Sequence, residues 1–588
     1  MRTLVTTALE ETWPKDGTEL LFLGEWCKTH KKKESWKRLN SYTLDYHWDD
    51  REKLGRDYRF IQFIYEKILN DLSKNLNEIH SVEHSVRYWR IIVGPWLNYF
   101  VGILFDRWET LNAAMIDGEK FRCNVIDRSF GELVPHDMAD FNELYIDDDW
   151  NELVFAQIIE SNFADVGILK KIKVEKKGSY RKPNFKIIDK LKPHLMKYFT
   201  YRNNNCVNKN LYVLDGPSRS MSFNIQCRLG QSPKFWQPLK FEFTKPQSFF
   251  RDWRVATDET VCSFESLARD MVVKHIPTIY LEGYSHAVSQ TKLAELPDLP
   301  KLIFTLIGFS SDELFKFWTA EKIELGTPLV IGQHGGHSGS GLFSATEDHE
   351  LKISDKMLTW GWSSPTSNKT VCIGNFRESS KRVSYDTNGK ALIVGFGIPR
   401  YSYRMYAIPI ARQWLDYFED QCKFVEDLDF KVRSDLLVRP YGRDYGWSMI
   451  SRWTERYPHI ALDQGGKSIK SMMRNTRIYI ATYNATTYLE SLLWNVPTII
   501  FWNPLHWELR PSAKEYYDLL ESVGIFHTSA SSASRKVNEI WDDIDNWWKS
   551  DQVQYARKLF CDEFSKPIQS RSAVLTDIFR KINSKTDD

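Results

Sequence analysis

A chain of 588 residues is too long for a single hydrophobic core and predicts two or three domains. A hydrophobic content of 42% with 14% aromatic residues excludes a disordered chain, and 79 basic against 77 acidic residues leave a charge of +2, which argues against nucleic acid as a partner. Eight cysteines without a CxxC pair read as buried free thiols of a reducing compartment, not as a disulfide framework or a metal set.

The N-terminus lacks a signal-peptide pattern and enters a strand directly, so a cytoplasmic protein is expected. Thr3 to Leu9 and Glu19 to Gly24 read as strands, and the loop after the first carries Glu10, Glu11 and Trp13 toward a ligand crevice, if it opens a parallel sheet. From Asp49 to Ala114 the pattern is helical, with Phe60, Phe63, Ile64, Ile68 and Leu72 spaced for one face. Ile91 to Phe105 is apolar but broken by Gly94, Pro95, Asn98 and Gly102; a buried helix is expected in place of a membrane span. The lysine-rich segment Lys170 to Lys182 reads as an exposed loop, and residues 201–260 read as irregular.

Pro277 to Leu281 reads as a strand ending at Glu282, and Lys301 to Gly308 as another. Ser310, Ser311 and Asp312 suit an N-cap for a helix from Glu313 to Lys322. A third strand, Pro328 to Gly332, leads into Gln333-His334-Gly335-Gly336-His337-Ser338-Gly339-Ser340-Gly341, whose glycines let backbone N–H groups approach a ligand closely. His334, directly after a strand end, is placed for acid, base or charge-stabilising work. Zinc is the competing reading, given His337, His349, Glu347, Glu350 and Asp355 nearby, but HGGH is not a helical HExxH and no standard ligand spacing follows it. Structural histidines satisfied by carbonyls are the other alternative.

Ser363 to Thr370 is turn-rich and reads as an interdomain linker, dividing an N-terminal α/β domain (1–370, with a helical insertion at about 49–114) from a C-terminal one (371–588). Strands and helices then alternate: Ala391–Phe396, helix Ala411–Phe424, Leu436–Val438, helix Ser448–Tyr457, His459–Leu462, helix Ser468–Arg474 and Ile478–Ala481. Such alternation signals a doubly wound parallel sheet. Its exits carry Arg400 and Arg404; Arg439, Tyr441 and Arg443; and Asn484, Thr486, Thr487 and Glu490. Arginines and helix N-termini suit a phosphate, and a carboxylate one turn into a helix suits ribose hydroxyls. Thr486 or Thr487 as an N-cap, boxed by Glu490, is the structural alternative for that helix, and surface ion pairing is the alternative for the arginines. No Walker A lysine motif or GxGxxG fingerprint is present, so ATP hydrolysis and dinucleotide redox lose ground.

Leu-Val-Thr-Thr-Ala-Leu-Glu-Glu-Thr-Trp, Leu-Phe-Leu-Gly-Glu-Trp-Cys, Gly-Gln-His-Gly-Gly, His-Glu-Leu-Lys-Ile-Ser-Asp-Lys-Met-Leu-Thr-Trp-Gly-Trp and Tyr-Asn-Ala-Thr-Thr-Tyr-Leu-Glu-Ser-Leu resemble a family of bacterial transferases encoded in O-antigen and other surface-polysaccharide loci, nearly end to end. More distantly, the His334 loop and Thr487 to Pro497 resemble the GT-B capsule and Kdo transferases, whose donors are CMP-activated ulosonic acids. The resemblance implies a GT-B-like α/β fold of two Rossmann-like domains facing across a cleft, and a glycosyltransferase needing neither metal nor cofactor. Its partners would be a nucleotide-activated sugar and a glycan or lipid-linked glycan, with a peripheral contact at the cytoplasmic face of the inner membrane left open. On this reading Arg400, Arg443, Thr486 and Thr487 hold the donor phosphate, Glu490 holds the ribose, and His334 faces the anomeric centre. The resemblance supplies no counterpart for the catalytic carboxylate; Glu10, Glu11, Glu282, Asp312 and Glu350 are the candidates, with Glu282 and Asp312 favoured as strand exits. A nucleotide-sugar epimerase or phosphotransferase of similar architecture, and a non-catalytic sugar-nucleotide-binding scaffold, are the rival functions.

Overall fold

The β-branched runs become three parallel sheets in the computed structural model, which describes residues 2–115, 120–165, 167–174, 200–201, 211–257 and 259–584. The N-terminal sheet runs β3-β2-β1-β4-β5, with β1 Arg2–Val5, β2 Leu20–Phe22, β3 Ser41–Thr43, β4 Phe121–Ile126 and β5 Gly167–Ile172. The middle sheet runs β10-β9-β8-β7-β6, with β6 Tyr212–Leu214, β7 Leu302–Thr305, β8 Leu329–Gly332, β9 Lys356–Thr359 and β10 Thr370–Cys372. The C-terminal sheet runs β13-β12-β11-β14-β15-β16, with β11 Lys390–Val394, β12 Leu436–Arg439, β13 Ala461–Leu462, β14 Thr476–Ala481, β15 Thr498–Phe501 and β16 Phe526–His527.

Every residue of β7, β8 and β15 is buried, as parallel strands covered on both faces require. The outer strands β13 and β16 are two residues long, which leaves little unpaired backbone at that sheet's edges. Strand order reverses between β1 and β4 and again between β11 and β14, so each of these sheets opens a crevice at the carboxyl ends of its central strands. The α/β expectation therefore holds, with three parallel sheets. What the sequence reading treated as one N-terminal unit contains two sheets.

The helical stretch forms Arg51–His80, Val86–Ile92 and Gly94–Ala114. Asp50 caps the first through Lys53 N, and Leu54, Tyr58, Ile61, Tyr65, Ile68 and Leu72 form its buried stripe. Phe60 lies at the stripe's margin against Phe105 and Phe264, and Phe63 is exposed beneath Lys67, so these two are corrected from the expected core face. The apolar segment 91–105 is buried in this layer, and among the described residues no helix is long and apolar enough to cross a membrane.

Other expectations change. Thr278–Tyr280 is a single 3₁₀ turn before the helix Tyr284–Leu293, not a strand, because Pro277 opens it and its N–H groups bond back to Pro135 and His136 instead of to a neighbouring strand. The described residues of the 201–260 segment, which exclude 202–210 and 258, hold β6 and the helix Arg219–Arg228 among less regular backbone. Lys170 to Ile172 complete β5, while 175–182 lie outside the described residues. The 370/371 boundary falls inside β10, and the last helix, Arg571–Ser584, returns to the middle sheet, where Phe579 meets Phe304 at 5.1 Å. Cys27, Cys123, Cys422 and Cys561 are buried free thiols, but Cys227, Cys262 and Cys372 are exposed.

Candidate functional site

The carboxyl end of β14 turns through Thr482-Tyr483-Asn484-Ala485 into the helix Thr486–Leu493. Ala485 occupies the N-cap position and no side chain caps the helix, so the capping-box alternative for Thr486, Thr487 and Glu490 does not apply. Asn484 is buried; its amide donates to Ser340 Oγ at 3.1 Å and its carbonyl accepts from Tyr488 at 3.0 Å. It is corrected from a phosphate ligand to a tie between lobes. Thr487 Oγ1 lies 2.6 Å from Tyr479 Oη and 2.9 Å from Tyr483 Oη, so its hydroxyl is also engaged within the C-terminal lobe. Thr486 Oγ1 accepts from Gly336 N at 3.2 Å, which brings the glycine loop onto the helix N-terminus. A Cβ at Gly336 would lie 2.4 Å from the Ala485 carbonyl oxygen, so only glycine permits this approach.

Glu490 lies one turn into this helix. It is half-buried, and among the described residues no hydrogen bond or ion pair meets its carboxylate. Burial and the nearby Glu378 push its pKa up to about 7, against the favourable charges of Arg377 and Lys470.

The facing loop leaves β8. His334 Nδ1 is 3.5 Å from Glu350 Oε1, and the histidine side chain is 37% exposed while that of Glu350 is 1% exposed. The imidazole is thus partly exposed and lies beside a buried carboxylate, though the two atoms are not hydrogen-bonded to each other. Glu350 sits on the helix Ala345–Ile353, whose Glu347 accepts from Gly339 N and pairs with Arg510 at 2.9 Å, anchoring the loop. Gln333 braces the same loop, donating to Gly335 O and accepting from Trp360 N and Trp362 Nε1. His337 is structural: it faces Ala407 O at 3.3 Å, and burial holds its pKa down at about 4. His349 is buried, and that burial pushes its pKa down to about 3.

The arginines at strand exits divide sharply. Arg400 is buried, bonded to Asp148 at 2.7 Å and to the Trp26 carbonyl; Arg443 pairs with Glu143 at 2.7 Å; Arg439 bonds Lys467 O at 2.8 Å and lies 3.4 Å from Asp463. All three are engaged in ion pairs, two of which, Arg400 and Arg443, join the C-terminal loops to the N-terminal lobe. Tyr441 is exposed and stacks on Tyr445. Arg404 alone of the four exit arginines named here has no carboxylate or hydrogen-bond acceptor among the described residues; its guanidinium lies 4.2 Å over Tyr406 and 4.9 Å over Tyr403.

The remaining carboxylates lie elsewhere. Glu282 is fully buried on Arg251 at 2.7 Å, and Asp312 caps the helix Glu313–Glu324 through Phe315 N while accepting from Trp236, so both are engaged within the fold. Glu10 lies in a 3₁₀ turn at 3.6 Å from Lys32, beside exposed Glu11, at the N-terminal sheet's own crevice. Of the five carboxylate candidates only Glu350 joins His334. The sequence reading missed Arg377, whose guanidinium donates to the His334 carbonyl and favours the ionised form of Glu490. Its position in an irregular segment between sheets gave no periodic signal.

Among the described residues one group has metal-ligand spacing, His47, Asp57 and Glu109. The ammonium of Lys53 already sits at 2.5 Å and 2.7 Å from the two carboxylates, so their charge is answered within the protein.

A family model for LIC12162 family transferase matches residues 2–579. The chain belongs to that transferase family. No curated protein matches it. Among solved structures, Acinetobacter baumannii MurG is similar over 63% of this chain and 99% of its own, at 11% identity and TM-score 0.31. SsfS6, a glycosyltransferase of Streptomyces sp. SF2575, is similar over 64% of this chain and 99% of its own, at 12% identity and TM-score 0.28. The UDP-N-acetylglucosamine 2-epimerase of Rickettsia bellii is similar over 64% of this chain and 96% of its own, at 11% identity and TM-score 0.33. The fold assignment rests on the three parallel sheets themselves.

Proposed function

We propose that this transferase is a glycosyltransferase that moves a sugar from a nucleotide-activated donor to a glycan acceptor. The observation that carries the reading is the convergence of two groups on Arg377: Glu490, a half-buried carboxylate without a hydrogen-bond partner one turn into an uncapped helix, and His334, beside Glu350. The uncapped N-terminus of the helix Thr486–Leu493 supplies N–H groups and a positive dipole end for the donor phosphate, with Arg377 beside it. Glu490 receives the ribose hydroxyls.

In the reaction, an acceptor hydroxyl forms a bond to the anomeric carbon as the bond to the nucleotide phosphate breaks. His334 takes the hydroxyl proton, and Glu350 stabilises the imidazolium that results. The leaving phosphate carries its electron pair onto the helix N-terminus and Arg377, a charge stabilisation that requires no metal. In its finer form, which rests on the resemblance of the His334 loop and of Thr487 to Pro497, the donor is a CMP-activated ulosonic acid such as Kdo and the acceptor a surface polysaccharide.

Thermal unfolding with CDP-, CMP-, UDP-, GDP- and dTDP-linked sugars tests this reading, because a ligand that binds only the native state raises its apparent stability. One nucleotide class should stabilise the wild type and fail to stabilise E490A. If none stabilises the wild type, or E490A responds equally, the reading is wrong.

A further inference from the structure

Arg404 is a cation the proposed chemistry leaves unused. Its Nε is buried without a hydrogen-bond partner, and a guanidinium offers five N–H donors that ring faces cannot satisfy in its plane. Around it stand Tyr403 and Tyr406 from the β11 exit, Tyr99 from the helix Gly94–Ala114, and Tyr145. Tyr145 stacks on Tyr403 at 5.1 Å, and Tyr99 meets Tyr403 edge-on at 6.2 Å. On the other side Tyr406 stacks on His337 of the glycine loop at 5.5 Å and bonds to Thr346. The cage is thus built from all three lobes, and it adjoins the loop that carries His334.

Arg404 is part-buried with its Nε closed off from solvent, and it differs from the exits around it, where Arg400, Arg439 and Arg443 are each given an acid. Tyrosine rings favour the cation but leave its fork open for a planar bidentate oxyanion. Two walls of the cage, Tyr99 and Tyr145, come from the N-terminal lobe, whereas the groups assigned to the donor lie between the middle and C-terminal sheets. We infer that the Arg404 cage seats an oxyanion carried by the acceptor, a sugar carboxylate or a phosphate group, and so selects an acidic glycan. This inference rests on the proposed glycosyl transfer for the word acceptor, but the anion site itself does not.

Thermal unfolding of the full chain with glucuronate, inorganic phosphate, glucose and the stabilising nucleotide tests it in wild type, R404Q, R404K and E490A. Glucuronate or phosphate should stabilise the wild type and glucose should not; whichever acts names the acidic group. R404Q should weaken that response roughly tenfold or more in apparent Kd, the scale of losing a charge-assisted pair, while nucleotide stabilisation persists. R404K, which keeps the charge and a folded cage but not the fork, should respond in between. E490A should keep the oxyanion response while losing that of the nucleotide, which separates failure of the site from failure of the donor reading. Equal anion stabilisation of wild type and R404Q, no anion response in the wild type, or loss of nucleotide stabilisation in R404Q would overturn the inference; the last would make Arg404 a donor-phosphate ligand.

Discussion

The C-terminal sheet meets two neighbours, and it treats them differently. Toward the N-terminal lobe its exit loops are bolted down: Arg400 on Asp148, Arg443 on Glu143, and Arg51 of the helix Arg51–His80 bidentate on Glu508 at 2.7 Å. Toward the middle sheet one ion pair, Arg510 on Glu347, and two neutral contacts, Gly336 on Thr486 and Ser340 on Asn484, hold the glycine loop, while the carboxylate of Glu490 beside them has no hydrogen-bond or ion-pair partner among the described residues. In one region every exit charge named is paired; in the other the Glu490 carboxylate is left unpaired among the described residues. Residue type at a strand exit did not distinguish the two.

The largest effects should come from the open side. H334A should lower sugar transfer by about 10²–10⁴-fold, the usual contribution of a positioned acid–base group, with its circular dichroism unchanged. A variant with wild-type turnover would move the chemistry away from His334. On the bolted side, D148A should leave Arg400 buried without its acid and cost about 3 kcal/mol of stability, read by denaturant unfolding, with nucleotide affinity preserved. If D148A instead abolished nucleotide binding at full stability, the division between the two regions would collapse.

Glu490 tests the open side by a different route. Its carboxyl rises from an ordinary 4.5 to about 7 on folding, so between those values the native state binds more protons than the unfolded chain. Stability should therefore fall as pH climbs through that window, and the full penalty stands above pH 7. E490Q removes the penalty, so it should unfold at higher denaturant than wild type at pH 8, by about 2 kcal/mol after allowance for partial exposure, and match it at pH 4. The same substitution should weaken nucleotide binding. A stabilised variant with a weaker ligand is what a functional carboxylate produces, whereas a structural one would lose stability.

The sheets were legible because periodicity is a local signal. Ala391, Leu436 and Ile478 open β-branched and leucine-rich runs flanked by turn residues, and all three lie in strands within two residues of the expected start. Pro277 to Leu281 has the same composition and is a 3₁₀ turn, because a short apolar run does not reveal whether a strand lies alongside to accept its N–H groups. The place of His334 after a strand and of Glu490 within a helix was legible too. The fate of the arginines was not, since Asp148 and Glu143 lie some 250 and 300 residues away in sequence and pairing at that range leaves no spacing to read. Arg404 looked like Arg400 until the acid beside one, and only rings beside the other, separated them.

The smallest effect sharpens the comparison most finely. Arg443 was expected on the donor phosphate and is instead on Glu143, with both side chains about half exposed at 43% and 66%. An ion pair so open to water gains little Coulomb energy and pays side-chain entropy, so R443A should change stability by less than about 1 kcal/mol, and less again at high salt. A guanidinium that met a donor phosphate would behave otherwise: its removal would raise nucleotide Kd at least roughly tenfold at unchanged stability. Titrating nucleotide into R443A and E143A therefore decides the point. If the pair is scaffold, both variants bind nucleotide as the wild type does. If Glu143 merely parks Arg443 until a donor arrives, R443A binds more weakly and E143A, which frees the arginine, more tightly.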